Sequence, residues 1–340
     1  MLPTRNADRS YHGPLMASYV PRPGTAGDAE GAAFRAAASA QVAGALAGSD
    51  RPARWLGRSA SALYLELSGG PVIAVLTADA TRLPCGVTLP WLAAERPLNG
   101  LVGDCPGSDP AAPDPAAPDP AAADLAQARV GRTDLVVGKN RLAWRGPAGP
   151  ITIRIVRSWA PSRVAARPSP DVRPSAVALR RLGRSLAGTW ARLGIPEHAR
   201  DSLAGADRFS AGRCREPVLG LLGRGTGLTP AGDDLLAGFL LGDRAFGGRG
   251  RQAGGVCHRG TCPERPGELR QLVRELAPGR TTALSAQLLG YACDGYCVDE
   301  AVAVISALAG NGDLEIAVRR LLAVGHTSGA ALAWGIWLAA

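Results

Sequence analysis

From residue 175 to the end of the chain, apolar side chains recur at intervals of three and four; before residue 160 they alternate or form short runs. A period near 3.6 buries one stripe of a helix, whereas a period of 2 buries one face of a strand. The chain therefore changes structural class once, and this switch constrains the fold more than any other feature. In the first half, residues 63–67 alternate, Gly69-Gly70 supplies a turn, and residues 71–76 form a second apolar run, which together predict a hairpin. Residues 87–89, 135–138, 141–144 and 151–156 are further strand candidates, separated by Gly138-Lys139-Asn140 and Gly146-Pro147. Several short strands in succession point to a small barrel or sandwich. Residues 29–48, mostly Ala with Phe34, Val42 and Leu46, predict a helix ended by Gly48 and Ser49.

In the second half, Val177, Leu179, Leu182, Leu186, Trp190 and Leu193 predict one helix, stopped by Gly194 and Pro196. Further helices are expected over 217–222, 235–241, 269–276, 281–292, 298–308, 314–324 and 328–338, with a loop over 247–267. The expected fold class is α+β, an N-terminal small β barrel or sandwich domain (29–165) followed by an all-helical domain (170–340). Residues 1–28, rich in Pro, Gly and charge, are expected to form a disordered tail. The Asp-Pro-Ala-Ala-Pro run within about 106–124 reads as an extended insert without chemistry, because proline at this density blocks helix and sheet.

Composition excludes more than it assigns. The formal net charge is +9, but the arginines are scattered, Lys139 is the only lysine, and aromatic residues make up 5%. A nucleic-acid surface would gather basic and aromatic residues in one stripe, so a solvated surface is expected, with no nucleic-acid partner. Seven cysteines is an odd number, and no apolar run of signal-peptide length opens the chain, so the expected compartment is the cytoplasm. Cys257 and Cys262 beside His258, and Cys293 with Cys297, lack the tight spacing of common zinc pairs; neither a metal nor a cofactor is expected. Residues 321–340 are nearly uncharged and about long enough to span a bilayer, yet His326, Thr327, Ser328 and the helically spaced glycines fit a buried, closely packed helix better.

The chemistry concentrates in residues 223–238, Gly-Arg-Gly-Thr-Gly-Leu-Thr-Pro-Ala-Gly-Asp-Asp-Leu-Leu-Ala-Gly. Three alternate glycines allow positive φ and close approach to a ligand. Thr229 is a suitable N-cap and Pro230 a suitable first helical residue. A glycine-rich loop feeding a helix N-terminus presents amides and a dipole that favour an anion. Asp233 and Asp234 follow about 100° apart on that helix, so they do not act as a paired acid and base on one atom. First-turn aspartates also stabilise a helix without any ligand, and the loop matches neither a P-loop nor a dinucleotide fingerprint. The pattern recurs: Gly232-x-x-Leu235-x-x-Gly238-x-x-Leu241 is repeated as Gly329-x-x-Leu332-x-x-Gly335-x-x-Leu338, with His326, Thr327 and Ser328 at the steps of Thr229, Pro230 and Ala231. Two similar helix starts facing one pocket, or two tightly packed core helices, would each produce this pattern.

At these blocks the chain resembles the AllH-like family, which includes a subunit of oxamate carbamoyltransferase. Residues 227–234, Gly-Leu-Thr-Pro-Ala-Gly-Asp-Asp, are similar to its signature, and Gly325-His326-Thr327-Ser328-Gly329 to its second motif. Thr281-Thr282 with Ser285 and Leu288 resembles the intermediate helix start, and residues 131–159 the stretch before the helical half. The resemblance implies a cytoplasmic carbamoyltransferase subunit in allantoin and purine degradation. It would work beside partner transferase subunits on small anions such as carbamoyl phosphate and oxamate. Asp233, Asp234 and His326 are then the candidate catalytic residues, Asp233 or Asp234 orienting an amide or a metal-bound water and His326 donating a hydrogen bond. Gly225, Gly227, Thr229, Gly232, Thr327, Ser328 and Gly329 are the candidate substrate-binding residues. One departure stands out: the family's second motif carries Asp after Ser-Gly-Ala, and here that position is Ala331. The alternative is a non-catalytic ligand-binding or assembly protein of the same family.

Overall fold

The computed structural model describes residues 32–90, 98, 135–166, 173–204, 215–247 and 267–340. The tail expected over 1–28, the Pro/Ala-rich insert and the Cys257–His258–Cys262 group lie outside these residues. Eight strands close into a barrel in the order β1-β5-β4-β3-β2-β6-β7-β8. They are β1 (Ala32–Ser39), β2 (Arg51–Arg58), β3 (Ala62–Leu67), β4 (Val72–Leu76), β5 (Gly86–Thr88), β6 (Val136–Gly138), β7 (Arg141–Gly146) and β8 (Gly149–Trp159). The contacts β1–β8 and β4–β5 are parallel and the others antiparallel. The structure is a barrel rather than a sandwich, and closure leaves no sheet edge.

Two elements of the barrel half differ from the sequence expectation. Residues 29–48 are not one helix: β1 occupies Ala32–Ser39, and only α1 (Ala40–Ala47) is helical. Alanine favours helix intrinsically, but β1 pairs with β8 from Ala32↔Ile151 to Ser39↔Trp159, and this pairing closes the barrel. Small side chains let Ala36 and Ala38 turn into the packed interior. Ser39 ends the strand and caps α1, its hydroxyl accepting from the Gln41 amide at 3.2 Å. The second is β2, which was not expected, because Pro52 and three arginines hide its pattern. Trp55 nevertheless turns inward onto Trp144, ring centroids 5.5 Å apart, and the register shifts between Trp55 and Gly57.

The helical half comprises α2 (Ala176–Leu186), a 3₁₀ turn (Trp190–Leu193), α3 (Glu197–Ala204), α4 (Arg215–Leu221), α5 (Ala231–Phe246), α6 (Gly267–Leu276), α7 (Ala283–Asp294), α8 (Asp299–Leu308), α9 (Leu314–Leu322) and α10 (Ser328–Ala339). The helix expected from Val177 to Leu193 breaks at Gly188, whose φ is +75°. The nearly uncharged C-terminal segment is divided between α9 and α10, and among the described residues no helix is long and apolar enough to cross a membrane. Residues 31–340 form one unit.

The centre of the helical half is the crossing of α5 and α10. Each helix places glycine where the other's backbone arrives. A Cβ on Gly238 would collide with the Leu332 carbonyl, and one on Gly335 with the Leu235 carbonyl. These two contacts are the same contact, related by the sequence repeat: 235 matches 332 and 238 matches 335. Toward the C-terminal ends of both helices Gly242 faces the Ala339 methyl, a pair that the same offset maps onto itself. The repeat therefore encodes a pseudo-twofold pair of helices whose axes approach closely because small residues line both.

The barrel is tied to the helices through β4 and α7. The Gln287 side chain accepts from the Val72 amide at 2.6 Å and donates to the Val72 carbonyl at 2.9 Å, as an adjacent strand would. Leu284 of α7 is buried in the barrel's own core.

Candidate functional site

The loop between α4 and α5 makes one tight excursion. Gly223, Gly225 and Gly227 have φ of +71°, +114° and +88°. At the first two the lack of a side chain is required by packing too, since a Cβ would strike the Arg280 carbonyl or, at 2.7 Å, the Ala231 nitrogen. Gly227 has open space around it, and residues 224–227 are exposed. The helix begins one residue later than the motif predicts: Pro230 is the N-cap of α5, and Thr229 does not cap it. The Thr229 hydroxyl instead meets the Ser328 hydroxyl at 3.2 Å, so the starts of α5 and α10 do come together. Thr327 is the N-cap residue of α10 and makes no side-chain cap bond; His326 is exposed just before it.

The two aspartates occupy different environments. The Asp233 carboxylate accepts from the Gly223 amide at 2.9 Å, from the Ser285 hydroxyl at 2.7 Å and from the Thr281 hydroxyl. It thereby locks the glycine loop to the start of α7. Burial raises its pKa, and these donors oppose the shift. Thr282 reinforces the joint, capping α7 through the Ser285 amide at 3.0 Å and donating to the Leu228 carbonyl at 2.5 Å.

Asp234 is 8% exposed, and its Oδ2 is buried without a hydrogen-bond partner. Burial pushes its pKa up to about 8; a bond from Ser328 opposes the shift and the neighbouring Asp233 adds to it. At neutral pH this carboxyl is mostly protonated and can donate a hydrogen bond. A strongly perturbed carboxyl with an unused polar atom costs stability, and such groups cluster at functional sites.

Gly232 and Gly329 are packing positions. A Cβ on Gly232 would clash with the Leu221 carbonyl, and one on Gly329 with the Leu321 carbonyl. The Gly232 amide is already bonded to the Arg224 carbonyl at 2.8 Å, and the Gly329 amide to the Val324 carbonyl at 2.9 Å. Of the sequence-derived candidates, Thr229, Asp234 and Ser328 converge on one point. Gly225 and Gly227 shape the loop beside it, and Asp233 supports it from behind.

Residues 221–340 match the family model described as oxamate carbamoyltransferase subunit AllH. The matched span runs from the last residue of α4 to the end of the chain, so it contains both helix starts and the α7 cap, while the barrel lies outside it. No solved structure matches the chain.

Sequence reasoning did not single out Tyr64, Cys85, Gln287 or Tyr291. Gln287 and Tyr291 pack onto the barrel from α7, Tyr64 packs against the barrel core and Cys85 is buried within it, and no local motif marks any of them. Thr281 and Ser285 were visible as a helix start, but not as the partners of Asp233. Among the described residues, no group of three or more His, Cys, Asp or Glu side chains could hold a metal. Cys293 and Cys297 are buried free thiols.

Proposed function

We propose that this chain is a subunit of an oxamate-type carbamoyltransferase complex in allantoin and purine breakdown. It binds a small anion where the starts of α5 and α10 meet and works with partner transferase subunits. The observation that carries this reading is the buried, unpartnered Oδ2 of Asp234 beside the Thr229–Ser328 contact. A carboxyl held protonated near neutrality does not repel a carboxylate or phosphate; it donates to it. Residues 225–227 are exposed beside the start of α5, whose dipole favours the same charge. The family match supplies the substrate class.

In the direction that consumes carbamoyl phosphate, the amide nitrogen of oxamate attacks the carbamoyl carbon. The bond from that carbon to the phosphate oxygen breaks, and the nitrogen loses a proton. The departing phosphate takes that proton, while Asp234, mostly protonated near neutrality, is suited to orient the reactants by donating a hydrogen bond. Asp233 positions the loop, and His326 at the mouth donates to the anion.

The test is calorimetric titration of the full chain, with its partner subunits, using carbamoyl phosphate, oxamate and inorganic phosphate. Asp234→Asn should weaken binding or turnover about tenfold or more, the loss of one hydrogen bond to a charged group. Unchanged binding in that variant would make Asp234 a packing residue and leave the assembly reading in its place.

A further inference from the structure

We infer that the barrel sets the position of the glycine loop: Gly57 of β2 is a positioning residue that seats Leu228 and, through it, the Thr229–Ser328 contact. The inference rests on the anion site proposed above and adds a residue from outside the matched span.

Gly57 is required by its neighbour, not by its own backbone. It is buried inside a strand, paired with Tyr64 of β3 just past the register shift in β2. Its φ is not in the left-handed region, so the backbone there would accept a side chain. Glycine in a strand interior weakens the strand and marks a place where something else approaches closely. Here that is Leu228. A Cβ on Gly57 would lie 3.0 Å from the Leu228 Cδ1, 3.7 Å from its Cγ and 3.8 Å from its Cδ2. The three nearest atoms thus all belong to one side chain, and Leu228 packs on the barrel core.

Leu228 is held at two points. Its side chain rests on Gly57, and its carbonyl accepts from the Thr282 hydroxyl at 2.5 Å. Thr282 caps α7, and Gln287 of the same helix is paired with Val72 of β4. The loop is therefore fixed to the barrel twice, directly on β2 and through α7 on β4. The next residue is Thr229, whose hydroxyl meets that of Ser328 at 3.2 Å. This contact has little slack, since at about 3.6 Å it is no longer a hydrogen bond. A carbon at position 57 needs a separation of about 3.5–4.0 Å from Leu228, so the leucine must retreat by about 0.5–1 Å. A shift of that size carried to Thr229 parts the two helix starts. Displacements of about 1 Å caused far from the chemistry can cost about a hundredfold in rate.

The experiment compares the full chain, Gly57→Val, and Gly57→Val combined with Leu228→Ala, each with the partner subunits. The assay is calorimetric titration with inorganic phosphate, oxamate and carbamoyl phosphate, with thermal melting to establish that each variant is folded. Gly57→Val should raise Kd about tenfold for a probe that the wild type binds. In the double variant the valine fills space left by the leucine, and Kd should return to within about threefold of the wild type. If Gly57→Val does not fold, Gly57→Ala with and without Leu228→Val makes the same comparison with a smaller loss. A merely structural role would lower the melting temperature and leave the Kd of the folded protein unchanged. Wild-type affinity in the folded position-57 variant therefore overturns this inference alone. So does a weakened variant that the change at Leu228 fails to rescue, because the loss then arises outside the Gly57–Leu228 contact. Failure of the wild type to bind any of the three probes overturns the anion site and the inference together.

Discussion

Replacing Asp234 by Asn should change the pH dependence of stability more than stability itself. The unfolded carboxyl has a pKa of 3.8 and the folded one about 8. Between these values the unfolded chain has released its proton while the folded chain still holds it. Stability attributable to this group is therefore fully present below about pH 4 and is lost as pH rises toward 8. Each unit in that window is worth ~1.4 kcal/mol. From pH 5 to pH 7 the wild type should lose about 3 kcal/mol relative to Asp234→Asn, which has no proton to lose at this position. Asp233 and Asp243, whose pKa values are also raised, are present in both proteins and largely cancel in the difference. The assay is urea unfolding of both proteins at half-unit steps from pH 4.5 to 8.5. The difference in unfolding free energy should slope in favour of Asn as pH rises and flatten above about pH 8. A difference that stays level across the range would mean that Asp234 ionises normally, and the case for a neutral donor at the site would fall.

Other substitutions separate packing from binding. Gly238→Ala or Gly335→Ala forces a methyl into a backbone carbonyl of the facing helix and should cost at least ~3 kcal/mol or prevent folding, read by urea denaturation; Gly227→Ala meets nothing and should cost about 1 kcal/mol for its positive φ. Asp233→Ala strips three donors of their acceptor and should destabilise by about 2–4 kcal/mol, with Ser285→Ala showing only part of that loss. Cys85 and Cys297, buried and with thiols pushed up to about 12, should react with a thiol reagent only at the rate of unfolding, so addition of urea should release both together.

The sequence was most legible where a segment's partner lay nearby. The hairpin of β3 and β4 is local, and Gly69 in its turn takes φ of +62°. The helices from α5 onward follow their apolar spacing, because each buries one broad face. Long-range partners decide the elements that were misread. The alanines of β1 become a strand because β8, more than a hundred residues away, needs a partner on its far edge. The site divides in the same way. The glycine loop, the paired helix starts and the candidate aspartates could be read from spacing. That Asp233 would be saturated and Asp234 left open could not, since Thr281, Ser285 and Ser328 reach them only through the tertiary fold. Tyr64 shares the outward phase of its alternating strand with Glu66, and alternation alone does not say what covers that face.

The pseudo-twofold crossing contains its own control for Asp234. The offset that maps Leu235 onto Leu332 and Gly238 onto Gly335 maps Asp234 onto Ala331. Both positions lie in the first turn of a helix that meets the other through the same glycine contacts. Ala331 is 0% exposed, so a methyl fills its position completely. The crossing therefore imposes no need for a carboxyl at this place in the helix, and burying one without a partner for Oδ2 is a net cost. Asp233 is different: its counterpart is Ala330, but its own carboxylate is repaid by three donors. Packing thus explains Asp233 and not Asp234. Ala331→Asp would test the comparison. Placed against the same crossing, the new carboxyl should lower stability by several kcal/mol at pH 8 and much less at pH 5. If it is instead accommodated with no pH-dependent loss, the crossing tolerates buried carboxyls in general, and the cost assigned to Asp234 no longer singles it out.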